Sequence, residues 1–268
     1  MDKQAYFDGV AQYKLLAKHE VGQNFLVDSD AAERIVTLLE AKEGEKVLEI
    51  GSGAGSLSFF LSLGPGSADL IDIDEGLVAK LQNDFQGNQF VHPLYGNAAK
   101  WDYSPYRKIV GNLPYYITSL IIERVFLGGK DCQKAVFMVQ KEAAERILAS
   151  VGSKDYSPLN VLWRLLYEGK REFNVPRGSF CPAPHVDSSV ISFTRKTDVS
   201  LEEAEKAFRL AGSLFLQRRK TVLNNLKAYC HDEQKAEKAL KKAGIDPLLR
   251  PERITPAQYL SLSRYLNE

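Results

Sequence analysis

Four consecutive residues, Asn112-Leu113-Pro114-Tyr115, carry the most specific chemistry in this chain of 268 residues. They directly follow a short apolar run that reads as a buried strand. Together they suit an exocyclic amine on a nucleic-acid base. The N6 lone pair of adenine is delocalised into its ring, so the amine is a poor nucleophile. Acceptors on its two hydrogens would make the nitrogen more tetrahedral and aim the lone pair at an electrophile. Asn112 supplies one acceptor through its side-chain carbonyl, and the Leu113 backbone carbonyl is the second. Pro114 fixes the backbone so that this carbonyl faces the pocket. Tyr115 offers a ring for a base removed from its helix. If the electrophile is an activated methyl group, neither a metal nor a nucleophilic side chain is required. Positioning then carries most of the rate.

A glycine cluster supplies a site for such a methyl donor. Lys46 to Ile50 reads as a strand, and Gly51, Gly53 and Gly55 follow it. Glycine at a strand-to-helix turn permits close backbone approach to a ligand. A dinucleotide site would want a glycine at position 56, which is Ser56. The observed spacing, with Glu49 ahead of it, resembles the S-adenosylmethionine loop of class I methyltransferases. That cofactor has no pyrophosphate, so its loop admits a methionine moiety instead. The next strand ends in Leu70-Ile71-Asp72. A carboxylate there can accept from both ribose hydroxyls, which nominates Asp72. Asp74 reads as the cap of the following helix. Asn97, in the turn after the third strand, is placed for the adenine amine.

The elements that must position these residues alternate. Strands are expected over Lys46–Ile50 and near Ala68–Asp72, Gln89–Leu94, Lys108–Asn112 and Ala135–Gln140. Helices are expected near Ser56–Leu63, Glu75–Phe85, Ser119–Phe126 and Lys141–Ser150. A first helix is expected near Asp30, with Asp30 and Glu33 as a capping box, and a last strand over Ser189–Arg195. The alternation predicts an α/β fold: a mostly parallel, Rossmann-like sheet with helices on both faces. The pattern changes near Lys196–Val199. Ser200 and Glu203 form a capping box, and Ala204, Ala207, Phe208, Ala211, Leu214 and Phe215 make one apolar stripe. Further helices are expected through Val222–Tyr229, up to Gly244, and from Pro256. Residues 1–196 therefore read as a catalytic domain with an N-terminal arm, and 197–268 as a small helical domain.

Composition excludes several classes. The chain is 44% hydrophobic and 26% charged, as expected of a soluble globular protein. No apolar stretch is long enough to span a bilayer. Cys132, Cys181 and Cys230 are far apart and odd in number, which supports neither a zinc site nor a disulfide framework. Cytoplasmic location, no metal and no membrane partner are the expectations. The net charge is only +1, but residues 201–268 hold 13 Lys and Arg against 9 Asp and Glu. A local basic surface suffices for phosphate contact.

Several longer motifs identify a family. They are Gly22-Gln23-Asn24-Phe25-Leu26, the Glu49–Gly55 loop, and Asn112–Tyr115 continuing into Tyr116-Ile117-Thr118. Two more are Phe180 to Ser188, with its Pro-x-Pro turn, and Phe215 to Thr221 followed by Asn224-Asn225-Leu226. Nearly the whole chain resembles the KsgA-type ribosomal RNA adenine dimethyltransferases. The resemblance implies transfer of two methyl groups from S-adenosylmethionine to each of two adjacent adenosines. These lie in the 3′-terminal hairpin of 16S rRNA, and the reaction accompanies small-subunit assembly. It implies cofactor contacts from Asn24, Leu26, Gly51, Asp72, Asn97 and Asn112, and Gln23, Glu49, Gly53 and Gly55 fall in the same motifs. It makes Phe180 a second aromatic wall opposite Tyr115. Arg218, Arg219 and Lys220 are expected on rRNA phosphates, since three adjacent cations exceed what a helix dipole needs. The enzyme is expected to act as a monomer.

The chain departs from that family at two site positions. Asp72 stands where Glu is usual, and Asn97 where Asp is usual, which implies a weaker hold on the cofactor. The arm ahead of Gly22 carries only Lys14 and Lys18. Three rivals remain at this point: an Erm-type enzyme acting on large-subunit rRNA, a non-catalytic assembly or transcription factor, and a DNA adenine methyltransferase.

Overall fold

The computed structural model describes residues 2–13 and 23–266. Lys14, Lys18 and Gly22 of the expected arm lie outside them.

In chain order the first elements are α1 (Lys3–Gln12), β1 (Phe25–Leu26), α2 (Ser29–Thr37), β2 (Lys46–Ile50), α3 (Ser56–Leu61), β3 (Ser67–Asp72) and α4 (Glu75–Asp84). Next come β4 (Val91–Tyr95), β5 (Lys108–Asn112), α5 (Thr118–Gly128), β6 (Lys134–Gln140), α6 (Lys141–Ile147), α7 (Pro158–Leu166) and β7 (Tyr167–Val175). The chain closes with β8 (Phe180–Cys181), β9 (Ser188–Arg195), α8 (Leu201–Phe215), α9 (Val222–Cys230), α10 (Glu233–Lys242) and α11 (Pro256–Leu266).

The main sheet runs β4-β3-β2-β5-β6-β9-β7. β2 to β6 pair in parallel, and β9 runs antiparallel to β6 with Phe137 opposite Ile191. Central strands are covered on both faces and read as continuous apolar runs, which is why β2 and β5 match their expected bounds. The strand order reverses between β2 and β5. Ligands of such sheets bind outside the carboxyl ends of the strands at this reversal.

Among the described residues, α1, β1, α7, β7 and β8 escape the sequence pattern. α1, capped by Asp2, buries Tyr6, Phe7 and Val10. α7 and β7 lie between the expected elements. The cap of α2 is Asp28, which accepts from the Ala31 N–H at 3.0 Å, and not Asp30.

The chain divides into two compact units, Met1–Ala144 with Lys170–Thr194, and Glu145–Gly169 with Arg195–Glu268. This differs from the continuous division at 196/197. The reason is α7, which is buried nearly all round, with Leu159, Val161, Leu162, Trp163, Leu165 and Leu166 covered. Such a helix needs partners on several sides. It packs on α8 and α11, so residues 145–169 go with the helical unit. Within that unit Trp163 donates from Nε1 to the Ile147 carbonyl at 2.8 Å. The Ser200 and Glu203 capping box opens α8 as expected.

Candidate active site

Most of the residues nominated from the sequence converge on one cleft of about 300 Å³ in the first unit. Gln23, Asn24, Leu26, Glu49, Gly51, Gly53, Asp72, Asn97, Asn112, Leu113, Pro114 and Tyr115 all line it. These residues sit at or beyond the carboxyl ends of β2, β3, β4 and β5, with β1 beside them.

The glycine turn is built by positive φ angles of 68° at Gly51, 53° at Gly53 and 98° at Gly55. A Cβ on Gly51 would stand 3.5 Å from the Asn112 carbonyl oxygen and 3.8 Å from Pro114. These are ordinary contact distances, so the positive φ and not space is what favours glycine at this position. Asp72 ties the loop to β3. One carboxylate oxygen accepts from the Gly53 N–H at 2.8 Å and the other from the Asp74 N–H at 2.9 Å. Burial raises its pKa, against these backbone hydrogen bonds. Ser56, the residue that breaks the dinucleotide spacing, donates to the Leu26 carbonyl at 2.5 Å and so fixes β1 beside the loop.

Glu49 is 1% exposed and accepts from the Ser58 hydroxyl at 2.6 Å. Burial pushes its carboxyl up to about 8 from an ordinary 4.5. The folded protein therefore keeps this proton in a pH window where the unfolded chain has released it. The stabilising contribution is complete below the ordinary carboxyl value and is lost as pH rises toward 8. Glu49→Gln removes the titration and keeps an acceptor for Ser58. The expected result is a melting temperature that falls less between pH 6 and pH 9 than that of the parent, read by thermal melting across that range. Parallel profiles would show that Glu49 is ionised throughout.

Asn112 donates from its side-chain nitrogen to the Asn24 carbonyl at 3.2 Å. An amide held this way has a defined orientation, and its oxygen is left as the acceptor. The Leu113 N–H bonds the Met138 carbonyl at 3.0 Å, and the Pro114 carbonyl accepts from Ile117 at 3.3 Å and the Thr118 hydroxyl at 3.0 Å. The Leu113 carbonyl takes no part in these bonds. Tyr115 is half-buried, with its hydroxyl 3.5 Å from the Ser188 hydroxyl. Asp187 accepts from the Arg177 N–H at 2.9 Å. The Phe180–Ser188 motif thus reaches the site through Ser188.

Three nominated residues stand elsewhere or are engaged otherwise. Phe180 is buried in the core, paired with Leu26 across β8 and β1, and does not line the cleft. Gly55 is also outside the lining; it faces Tyr6 behind the loop. Asn97 does line the cleft, but its side-chain oxygen already accepts from the Ala99 N–H at 2.9 Å, which caps a short 3₁₀ turn. Sequence reasoning missed Ser52, Ile73 and Tyr116, which share the cleft. Ile73 follows the strand-end acid directly, and that position was its only signal.

The cleft fits S-adenosylmethionine on chemistry alone. The Ser52 hydroxyl is buried in the lining without a hydrogen-bond partner, so a polar ligand is wanted there. Ile50 and the exposed Ile73 offer apolar walls beside the acid Asp72, as a nucleoside requires.

Known proteins agree with this geometry. The family model described as ribosomal RNA adenine dimethylase matches residues 15–268. The chain is 36% identical over 266 residues to ribosomal RNA small subunit methyltransferase A of Malacoplasma penetrans, covering 97% of this chain and 96% of that one. It is 36% identical over 273 residues to the protein of the same name from Moorella thermoacetica, covering 96% and 95%. Among solved structures, a dimethyladenosine transferase from Plasmodium falciparum is similar with a TM-score of 0.73 at 26% identity, over 87% of this chain and 94% of that one. The 23S rRNA methyltransferase ErmE is similar with a TM-score of 0.69 at 25% identity, over 91% and 100%. With the family model matching nearly the whole chain and curated relatives at 36% identity over almost their full length, the chain belongs to the ribosomal RNA adenine dimethylase family.

Proposed function

We infer that the protein methylates adenosine N6 atoms in small-subunit ribosomal RNA, two adjacent adenosines in the 3′-terminal hairpin of 16S rRNA receiving two methyl groups each. The observation that carries this reading is the Asn112 amide. One of its two N–H groups is held by the Asn24 carbonyl, which fixes the orientation of the amide and leaves Oδ1 as an acceptor for the substrate. An amine is the group such an acceptor orients. S-adenosylmethionine, when bound, supplies a methyl group on a sulfonium. The chain does the rest by placement. Asn112 Oδ1 and the Leu113 carbonyl take the two amine hydrogens and direct the lone pair. Tyr115, braced by Ser188, presents a ring to the target base. Gly51, Gly53, Asp72 and Asn97 would hold the cofactor, and Ile73 would supply an apolar wall beside Asp72.

The reading is tested with tritiated S-adenosylmethionine and small ribosomal subunits from cells lacking this gene, followed by nucleoside analysis. Labelled dimethyladenosine in the small-subunit RNA is expected. Label confined to large-subunit RNA would favour an Erm-type enzyme. Binding of the particles without transfer would favour an assembly factor.

The helical unit is the proposed RNA contact, through Arg219 and Lys220, which are exposed. Arg218 has another task. Its guanidinium donates to the carbonyls of Lys154 at 2.6 Å and Ser153 at 2.9 Å and lies 3.5 Å from Glu252. Arg218→Ala should lower stability by about 1 kcal/mol, because one exposed and one part-buried carbonyl lose a charged donor. Arg219→Ala and Lys220→Ala should leave the melting temperature in place. Each should reduce the salt dependence of particle binding by a slope of about 1. Thermal melting and a salt series of binding assays separate the two groups. An unchanged slope in both exposed-residue variants would remove them from the RNA contact.

A further inference from the structure

The glycine loop is held from behind by side chains that have no part in the cleft. Lys80, on α4, donates from Nζ to the Ala54 carbonyl at 2.6 Å and pairs with Asp84 at 2.6 Å. Tyr6, on α1, donates from its hydroxyl to the carbonyl of the next residue, Gly55, at 3.3 Å. The two donors are joined to each other. Lys80 Nζ lies 4.8 Å from the centre of the Tyr6 ring and 5.2 Å from that of Tyr13. Tyr6 is buried and packs against Phe59 of α3, with ring centres 4.9 Å apart. Gly55 leaves room for this contact, since a Cβ there would stand 2.2 Å from the Tyr6 hydroxyl. The helix α1 that brings Tyr6 precedes residue 15, where the family model begins to match.

We propose that Tyr6 and Lys80 are positioning residues for S-adenosylmethionine: by bonding two successive carbonyls of the loop, they fix it in its binding shape before the cofactor arrives. The argument rests on the glycine loop being the cofactor site; the RNA substrate does not enter it. A turn with three glycines at positive φ has many other shapes open to it. Ordering it at the moment of binding would reduce affinity, and ordering it beforehand removes that loss. Lys80 suits the task because a half-buried ammonium held by Asp84 and two aromatic faces has little freedom of its own. Burial lowers its pKa while Asp84 opposes that shift, so the charge is kept by the pairing. Gly55, whose carbonyl Tyr6 takes, stands outside the cleft lining, while Ala54 lies in it, so the bonds act on the loop and not on the ligand.

The test compares Lys80→Met and Tyr6→Phe with Val10→Ala, a control in the buried face of α1. Cofactor affinity is measured on the full chain by titration calorimetry without RNA. KM for the cofactor and kcat are measured with small-subunit particles. Lys80→Met should weaken cofactor binding about tenfold, the scale of one charge-assisted hydrogen bond. Tyr6→Phe should weaken it about threefold, and the double variant by less than the product, because the ammonium sits on the ring it shares. The change should fall on the KM for cofactor, with kcat at saturating cofactor within about twofold and the KM for particles unchanged. Val10→Ala should lower the melting temperature and leave cofactor affinity alone. The proposal is overturned if Lys80→Met leaves affinity unchanged. It is equally overturned if Val10→Ala weakens cofactor binding as much at an equal loss of melting temperature, since the contacts would then be packing only.

Discussion

Asn112→Ala is expected to lower the single-turnover rate of methyl transfer by about 10²–10³-fold, the range found for loss of one preorganised hydrogen-bonding group in a closed site. The amine nitrogen becomes positive as its new bond forms, so its hydrogens bind an acceptor more strongly in the transition state than before it. Removing Oδ1 therefore affects kcat more than substrate binding. Asn112→Asp sharpens the prediction. Asp keeps an acceptor and adds charge, which should help a developing cation. But the atom that replaces Nδ2 would be an oxygen 3.2 Å from the Asn24 carbonyl, with no hydrogen between them. The carboxylate must turn away from Asn24 or leave two acceptors in contact, at a cost of about 1–3 kcal/mol. Asn112→Asp should thus be no more active than Asn112→Ala. Rates come from tritiated cofactor on small-subunit particles, with cofactor affinity measured separately. If the Asp variant keeps a tenth or more of the parental rate, the bond to Asn24 does not orient the catalytic amide.

The cleft was legible because its chemistry lies in turns that follow buried parallel strands, where both signals are local. An apolar run followed by Gly-x-Gly, by Asp, or by Asn-Leu-Pro-Tyr marks the strand end and its cargo at once. What was not legible depended on distant packing. α1 offers only Tyr6, Phe7 and Val10 as its buried face, with Gly9 inside, too brief a stripe to declare a helix. β7 is polar along most of its length because it closes the sheet at one edge, so it shows no apolar run. The Phe180–Ser188 motif meets the cleft through a residue other than the one the resemblance nominated. Its aromatic ring enters the core, while Ser188 meets Tyr115, and a serine at a strand start has no sequence signal of its own. Arg218 looked like its two neighbours in sequence. Only the fold shows that the carbonyls of residues 153 and 154 claim it.

Gly55→Ala should be the most destabilising single methyl group that the cofactor loop can receive. The added Cβ would stand 2.2 Å from the Tyr6 hydroxyl and 2.7 Å from Leu81, and φ is 98°. Left-handed backbone costs a residue with a side chain about 1–2 kcal/mol, and an overpacked contact about 1–3 kcal/mol more. For a chain of this size the sum corresponds to a fall in melting temperature of roughly 5–15 °C. The double variant Gly55→Ala with Tyr6→Phe decides between two roles for this glycine. The sequence spacing nominates Gly55 as a cofactor contact, whereas the structure places it against Tyr6. Deleting the tyrosine hydroxyl relieves the closer collision and leaves the Leu81 contact and the backbone strain. If packing is the whole role, the double variant regains about half of the lost stability. Its cofactor affinity should then match that of Tyr6→Phe alone. If stability returns while cofactor affinity stays at the level of Gly55→Ala, the methyl group obstructs the ligand itself. The glycine would then face the cofactor after all, and the loop would have to turn on binding.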